Sequence, residues 1–288
     1  MTPRSPASSD EHLCSMIMCS PSATLTVWAG SWLAGCSAPD DVLEAMHAWA
    51  SLHTIAAGDP VTGGRTDLPW SSRGDTPTTG VMALLKMIRE TMASPGARLR
   101  LVLPVPGDVR GVPVGTAFAA DAIEAGEGIL IGVPDGEGTG LIPRWVDENT
   151  LQWNIYTTAI PTLPGPDMTL GEAEYAMREA VRDAADALMR LHTTGLGTGD
   201  ADPRELIEAE LADYSRHIYP DSIPLRAKRI LDTADHVAAI LTVAQREPAS
   251  SPTSAGAAMA HESLLRPLWD AIRAARLIAI HTSTPGAR

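Results

Sequence analysis

Residues 151–158 alternate without a break, with Leu151, Trp153, Ile155 and Thr157 on one side and Gln152, Asn154, Tyr156 and Thr158 on the other. A period of two is what a pleated strand imposes on its side chains, so this segment has to find neighbours in a sheet. One of its faces is expected to pack on helices and the other to meet water or a pocket. Three further strands are read upstream. Residues 98–103 begin as Arg98, Leu99, Arg100, Leu101 and then turn wholly apolar, as a strand does when its second face becomes covered. Residues 128–133 and 141–146 are the other two, and Pro143 inside the latter marks an edge or a bulge, because a central strand would lose a ladder bond there. The glycine-rich residues 135–140 between them read as a hairpin turn; a phosphate-cradling loop would need a helix to open directly after it. The order strand, helix, three strands predicts a small four-stranded mixed sheet, its first connection a crossover and the other two hairpins.

The rest of the pattern is helical. Leu25, Trp28, Ala29, Trp32, Leu33 and Cys36 recur at helical spacing, with Thr26, Gly30, Ser31 and Gly35 opposite, which predicts an amphipathic core helix over residues 22–35. Asp40 and Asp41 suit the start of a second helix, whose stripe of Val42, Leu43, Met46, Trp49, Ala50 and His53 pairs it with the first. His47 and His53 are six apart, not the three or four that place two ligands on one helical face, so each reads as a surface or boundary residue. Residues 57–79 hold little apolar content beyond Leu68 and Trp70 and read as a long flexible connection. Val81, Leu84, Leu85, Ile88 and Met92 give a third helix. Residues 116–125 give a short one with Phe118, Ala122 and Ile123 inward and Gly126 as its stop. Beyond the Pro-rich residues 161–166 only the helical period remains. Thr169 and Glu172 form a capping box ahead of a core face that includes Met177 and Val181; Asp202, Pro203 and Glu205 start the next helix, and later ones run near 225–245 (burying Ile240 among others) and 257–281. The fold class is therefore α+β: a disordered segment at 1–20, a sheet-bearing region at 21–160, and a helical region at 161–288 that packs on the sheet as one domain with it.

Charge narrows the partners. Acidic residues outnumber basic ones 35 to 22 for a net charge of -13, which repels phosphate backbones and argues against nucleic acid. Lys86 and Lys228 are the only lysines, and the reliance on arginine, alanine, glycine and proline suggests a GC-rich bacterial genome. The cysteines are Cys14, Cys19 and Cys36, an odd number that points to a reducing, cytoplasmic setting. His12, Cys14, Met16, Met18 and Cys19 are soft donors that would suit copper(I), but no second cluster supports them, and neither a metal nor a cofactor is expected. Residues 13–39 carry no charge, and Leu33-Ala34-Gly35-Cys36 resembles the lipobox of bacterial lipoproteins. Asp10 and Glu11 offset Arg4 ahead of it, Pro21 interrupts the run, and the helical polar face is foreign to a signal peptide. The reading taken is a core helix with Cys36 as a core thiol and no membrane contact, the lipidated Cys36 being its rival.

The least ordinary loop follows the strand at 98–103. Pro104 and Pro106 end the ladder, and Gly107-Asp108-Val109-Arg110-Gly111 then sets an acid and a base between two glycines. Asp108, Arg110 and Arg144 are the candidate binding residues, for an anionic ligand, set against a plain surface turn. Asp183 with Asp186, and Asp232 with His236, share helical faces, but Arg182 and Lys228 stand at ion-pairing distance along the helix and make solvated faces the simpler reading. No nucleophile elbow, zinc signature, Walker loop or Rossmann fingerprint occurs. Residues 101–115, the helical pair from Trp28 to Trp49 and the capped helix at Thr169 together resemble an uncharacterised family of actinobacterial proteins; that resemblance implies no activity, cofactor or catalytic residue. The function expected is that of a soluble, cytoplasmic, non-catalytic interaction or regulatory protein with an unknown protein partner. The alternatives are a small-molecule binder or enzyme using residues 107–111, and a lipoprotein anchored through Cys36.

Overall fold

The computed structural model describes residues 20–70, 78–162, 168–191, 203–246 and 255–284. The described residues up to 162, with 217–224 and 280–284, form one compact unit, and those of 168–216 and 225–279 form a second. The cluster at His12 to Cys19 and the segment expected to be disordered lie outside the described residues, apart from Ser20, which is buried.

The first unit is built on a mixed sheet of β1 (Leu52–Ala57), β2 (Thr78–Thr79), β3 (Arg98–Val102), β4 (Gly128–Gly132), β5 (Glu137–Asp147) and β6 (Thr150–Ala159), in the order β2-β1-β6-β5-β4-β3. The four expected strands are β3 to β6, and the sheet is larger by β1 and the two-residue β2. β1 pairs parallel with β6 from Leu52 opposite Thr150 to Ala57 opposite Ile155. It escapes a period-of-two reading because Leu-His-Thr-Ile-Ala-Ala is buried on both faces after Leu52, and the helical spacing before it extends to His53 only by coincidence. The preceding helix in fact ends at His47. The stretch at 57–79 is also more ordered than its composition suggests. Asp59 caps a short helix at Pro60–Thr66, its carboxylate accepting from the Thr62 N–H at 2.9 Å and the Thr62 hydroxyl at 2.8 Å, and the Ala57 N–H donates to Pro69 O at 2.8 Å. The expected crossover is absent: β3 and β4 are antiparallel neighbours, and the helix joining them lies over one face. Pro143 does sit at a local edge, in the part of β5 that runs past β4.

Helices α1 (Pro21–Leu33), α2 (Pro39–His47), α3 (Pro60–Thr66), α4 (Val81–Met92) and α5 (Ala117–Ala125) complete this unit. α1, α2 and α4 cover one sheet face, where Leu25, Trp28, Met46, Leu84, Leu85 and Ile88 pack on Leu99, Ile129, Ile131, Leu141, Leu151, Trp153 and Ile155. α1 is buried from Pro21 to Trp32, its expected polar side included, so it is a central helix and not an amphipathic one. Its N-terminus is capped twice, by Ser20 Oγ accepting from the Ala23 N–H at 3.2 Å and by Glu127 Oε2 accepting from the Ser22 N–H at 2.8 Å. Burial of the Glu127 carboxyl pushes its pKa up, against that hydrogen bond. Cys36 lies beyond the end of α1 and is exposed, because Gly35, at φ 75°, turns the chain out of the core; the expectation of a core thiol is corrected.

α5 covers the other face. Phe118, Ala119 and Ala122 are buried there, Gly126 closes the helix in the left-handed conformation, and Ile123 points outward instead of inward. Gln152, Asn154, Tyr156 and Thr158 on this face of β6 are buried and meet no solvent-filled side, contrary to expectation.

The second unit contains α6 (Leu170–Leu191), α7 (Pro203–Tyr214), α8 (Leu225–Arg246) and α9 (Ala255–Ser283) up to Ala279. α8 packs against both α6 and α7. The capping box holds, with Glu172 Oε2 accepting from the Thr169 N–H at 2.6 Å and Thr169 Oγ1 from the Glu172 N–H at 3.3 Å. Ala173, Met177, Ile230, Leu231, Ala234 and Leu241 are buried as their spacing requires, whereas Val181 and Ile240 are exposed.

Candidate functional site at one end of the sheet

Val102 at the end of β3, Gly128 at the start of β4, the second half of β5 and the starts of β6 and β1 all lie at the same end of the sheet. The three residues singled out by sequence meet this end in different ways. Val105 and Asp108 exchange backbone hydrogen bonds of 3.0 and 2.9 Å across Pro106-Gly107, and Gly107, at φ 92°, takes the position of a type II turn that glycine fills without strain. Asp108 then receives Arg110 twice, from Nε to Oδ1 and from Nη2 to Oδ2, each at 2.9 Å, and the Arg110 N–H at 3.2 Å. The bidentate pair stands at the surface, with the Arg110 side chain 72% exposed. Arg144 is opposite Gln152 on β5, exposed and outside that pair.

The more distinctive feature belongs to β5 itself. β4 pairs with β5 only from Gly138 to Leu141, while β6 pairs with it to Asp147. From Ile142 onward, among the described residues, β5 therefore has a strand on one side only. Ile142 and Pro143 are buried, and Arg144, Trp145, Val146 and Asp147 are exposed, with Trp145 at 49% and Val146 at 59%. A register shift falls between Trp145 and Asp147. Leu52, 44% exposed at the start of β1, lies at the same end. Asp147 is held ionised by the Asn149 N–H at 2.8 Å and by Thr150, which keep its carboxyl below the usual range. Sequence reading found Arg144 but missed Trp145 and Val146; the signal for them was Pro143, which announced that β5 loses a neighbour at this point.

Other buried polar groups bond to one another and to the backbone. On the α5 face, Gln152 Nε2 donates to Asn154 Oδ1 at 2.7 Å and the Tyr156 hydroxyl donates to Asp121 Oδ2. Burial and the Asp121 carboxylate push the Tyr156 phenol far above its ordinary range, so it stays a donor. On the opposite face His53 is buried, not a surface residue: it lies between Met46 O, 3.0 Å from Nε2, and the Trp153 indole N–H, which donates to Nδ1 at 3.2 Å. An acceptor at Nδ1 and a donor at Nε2 describe one neutral tautomer, and burial holds the pKa of the ring below its ordinary value. His281 likewise has Nε2 3.0 Å from Leu101 O, and burial lowers its pKa to about 4.

The helical unit has its own buried ion pair, Arg276 to Asp235, beside Tyr214, whose hydroxyl donates to Glu210 Oε1 at 3.0 Å. Burial raises the Asp235 pKa despite Arg276. Of the two tempting pairs, Asp232 with His236 forms no site, since Lys228 holds Asp232 from Nζ at 2.8 and 3.1 Å and His236 is exposed; Arg182 binds Glu179, and the Asp186 side chain lies outside the described residues. Among the described residues there is no cluster of three histidine, cysteine or carboxylate side chains able to hold a metal ion, and no helix long and apolar enough to cross a membrane.

Sequence models of an Rv1486c-like protein match the chain twice, the N-terminal domain over residues 22–168 and the C-terminal domain over residues 171–277. The chain belongs to the Rv1486c-like family. Uncharacterized protein Rv1486c of Mycobacterium tuberculosis (strain H37Rv) is 40% identical to it over 287 residues, covering 90% of this chain and 96% of the relative. Uncharacterized protein ML1804 of Mycobacterium leprae is 37% identical, covering 91% and 96%, and uncharacterized protein MAV321 of Mycobacterium avium is 32% identical, covering 90% and 96%. No solved structure matches the chain. The family is an actinobacterial one without an assigned activity, as the resemblance read from residues 101–115, the Trp28 to Trp49 helices and Thr169 implied. Its N-terminal match begins one residue into α1, and its two domains part at 168 and 171, near the division of the fold after residue 165.

Proposed function

We propose that this protein is a non-catalytic, cytoplasmic interaction protein and that it meets its partner at the end of the sheet where β5 outruns β4. The observation that carries the reading is the exposure of Trp145 and Val146, consecutive on a strand that, among the described residues, has a neighbouring strand on one side only. Aromatic anchors of this kind dominate the energy of protein interfaces, and a tryptophan left half in water has apolar area to lose on docking. The anion-binding alternative is less well supported, since Arg110 already spends its guanidinium and its backbone N–H on Asp108. Anchoring through Cys36 would require cleavage after Gly35, which would remove a helix buried along nearly its whole length.

The test is affinity purification from the native cell with the full chain as bait, compared with the double variant Trp145→Glu, Val146→Glu and read by quantitative mass spectrometry. A retained protein that the double variant loses, at an unchanged melting temperature, is the expected result. Identical retention by both baits would remove this surface from consideration.

A further inference from the structure

The next inference rests on the sheet end being a binding surface and concerns the chemistry of what binds. We propose that β5 takes a short extended peptide as an added strand, over Arg144 to Asp147, on the side where β4 stops short. Beyond Leu141 the β4 side of β5 has no strand among the described residues, so no described strand takes up its backbone groups on that side, and Arg144 to Asp147 are exposed. The window is short. Pro143 offers no N–H at its inner end, the register shift between Trp145 and Asp147 distorts its outer half, and four exposed residues span about 13 Å of strand.

That shortness decides between occupants. A second copy of the chain would need roughly 800 Å² of surface on each side to hold a stable dimer, and four residues of one strand edge are a small part of that. A peptide of four or five residues needs only the window. Its side chains are set by the pleat: Trp145, opposite Leu151, and Arg144, opposite Gln152, point to opposite faces of the sheet. An added strand therefore places an apolar residue beside Trp145, an acidic residue beside Arg144 on the other face, and a basic residue beside the ionised Asp147. The partner segment is extended, carries charges of both signs around one apolar anchor, and has no proline opposite Trp145.

A displayed library of seven-residue peptides, selected on the full chain, supplies the probe, and fluorescence anisotropy of a labelled, synthetic selected peptide supplies the affinity. Strand addition predicts an apolar residue with an acidic neighbour among the selected sequences and a loss of at least about tenfold on Trp145→Glu. It also predicts a similar loss on N-methylation of one peptide amide that leaves every side chain in place. Arg144→Glu should weaken the peptide, and a lysine for its acidic residue should restore it. Failure to select any peptide, indifference to Trp145→Glu, or indifference to N-methylation at every amide overturns strand addition. A Trp145-dependent dimer in analytical ultracentrifugation overturns it in favour of a second copy. If the cellular partner depends on Trp145 and Val146 while N-methylated peptides bind as well as unmodified ones, the surface stands and the added strand falls. If peptides behave as predicted while the cellular retention is indifferent, the peptide site stands and the wider reading falls.

Discussion

The two faces of the sheet solve the same problem with different materials. The face under α1, α2 and α4 is filled by large apolar side chains, Trp153, Ile155, Leu141 and Ile129 among them. The face under α5 is lined by Gly128, Gly132, Gly138 and Gly140 beside Gln152, Asn154 and Tyr156, with Phe118 inserted from the helix. The difference is one of distance: a side chain placed on Gly140 would set its Cβ 2.3 Å from the Phe118 ring, so the single helix sits where a normally furnished strand would hold it off. One face gains its stability from volume and the other from fit, and fit should be the less forgiving of any addition.

Gly140→Val breaks that contrast most directly. It drives a branched side chain into Phe118, and the expected outcome is loss of the cooperative urea transition, whereas Ile129→Val on the other face should cost only about 1 kcal/mol. Second in size, Phe118→Ala and Trp153→Ala should each cost about 3 to 5 kcal/mol in equilibrium denaturation, since both are fully buried. Equal costs would show that the two faces differ in tolerance of additions and not in worth. Tyr156→Phe comes next: it leaves the ring against Gly58 and removes the hydroxyl with its bonds to Asp121 and Asn154, for about 1 to 2 kcal/mol.

Acid should act on His53 and His281 together. Both are lowered in the fold, His281 to about 4, so below their ordinary value of 6.5 the unfolded chain binds protons that the folded one refuses. The stability each contributes is fully present above about pH 6.5 and is lost as pH falls from there, for His281 toward 4. His281→Gln should flatten part of that slope in melts recorded between pH 7 and pH 4.5; an unchanged slope would place the loss on His53 or the carboxylates. Arg110→Ala should have the smallest effect, less than about 1 kcal/mol, because its pair with Asp108 is exposed.

The sheet was legible where one face of a strand differed from the other. β3, β5 and β6 carry mixed polar and apolar positions, and their spacing reported them. β1 was not legible because burial on both faces erases the alternation, and the helical stripe of α2 ran into it without a proline or glycine to mark the change. α3 was hidden by composition: Pro-Val-Thr-Gly-Gly-Arg-Thr is a poor helix by propensity, and what holds it is the Asp59 cap with Thr62 buried between β1 and β6, whose hydroxyl accepts from the Thr157 N–H at 2.8 Å. Of the candidate site, Asp108, Arg110 and Arg144 were visible as charges in unusual places, but whether they paired with one another or with a ligand depended on a turn geometry that Gly107 allows and does not dictate. Trp145 became notable only when β4 was seen to stop short.

The parallel pairing of β1 with β6 also sets a timetable. Leu52 and Thr150 are neighbours in space, so the strand that follows the first two helices waits for nearly a hundred further residues before its long partner exists. While the chain is being made, the uncharged α1 and the apolar β1 have no sheet to cover, and β3, β4 and β5 can assemble as an antiparallel meander before them. Release of a chain cut short before β6 would leave that first segment exposed and prone to aggregate. The last strand of the sheet to emerge is thus the one that makes its first residues safe.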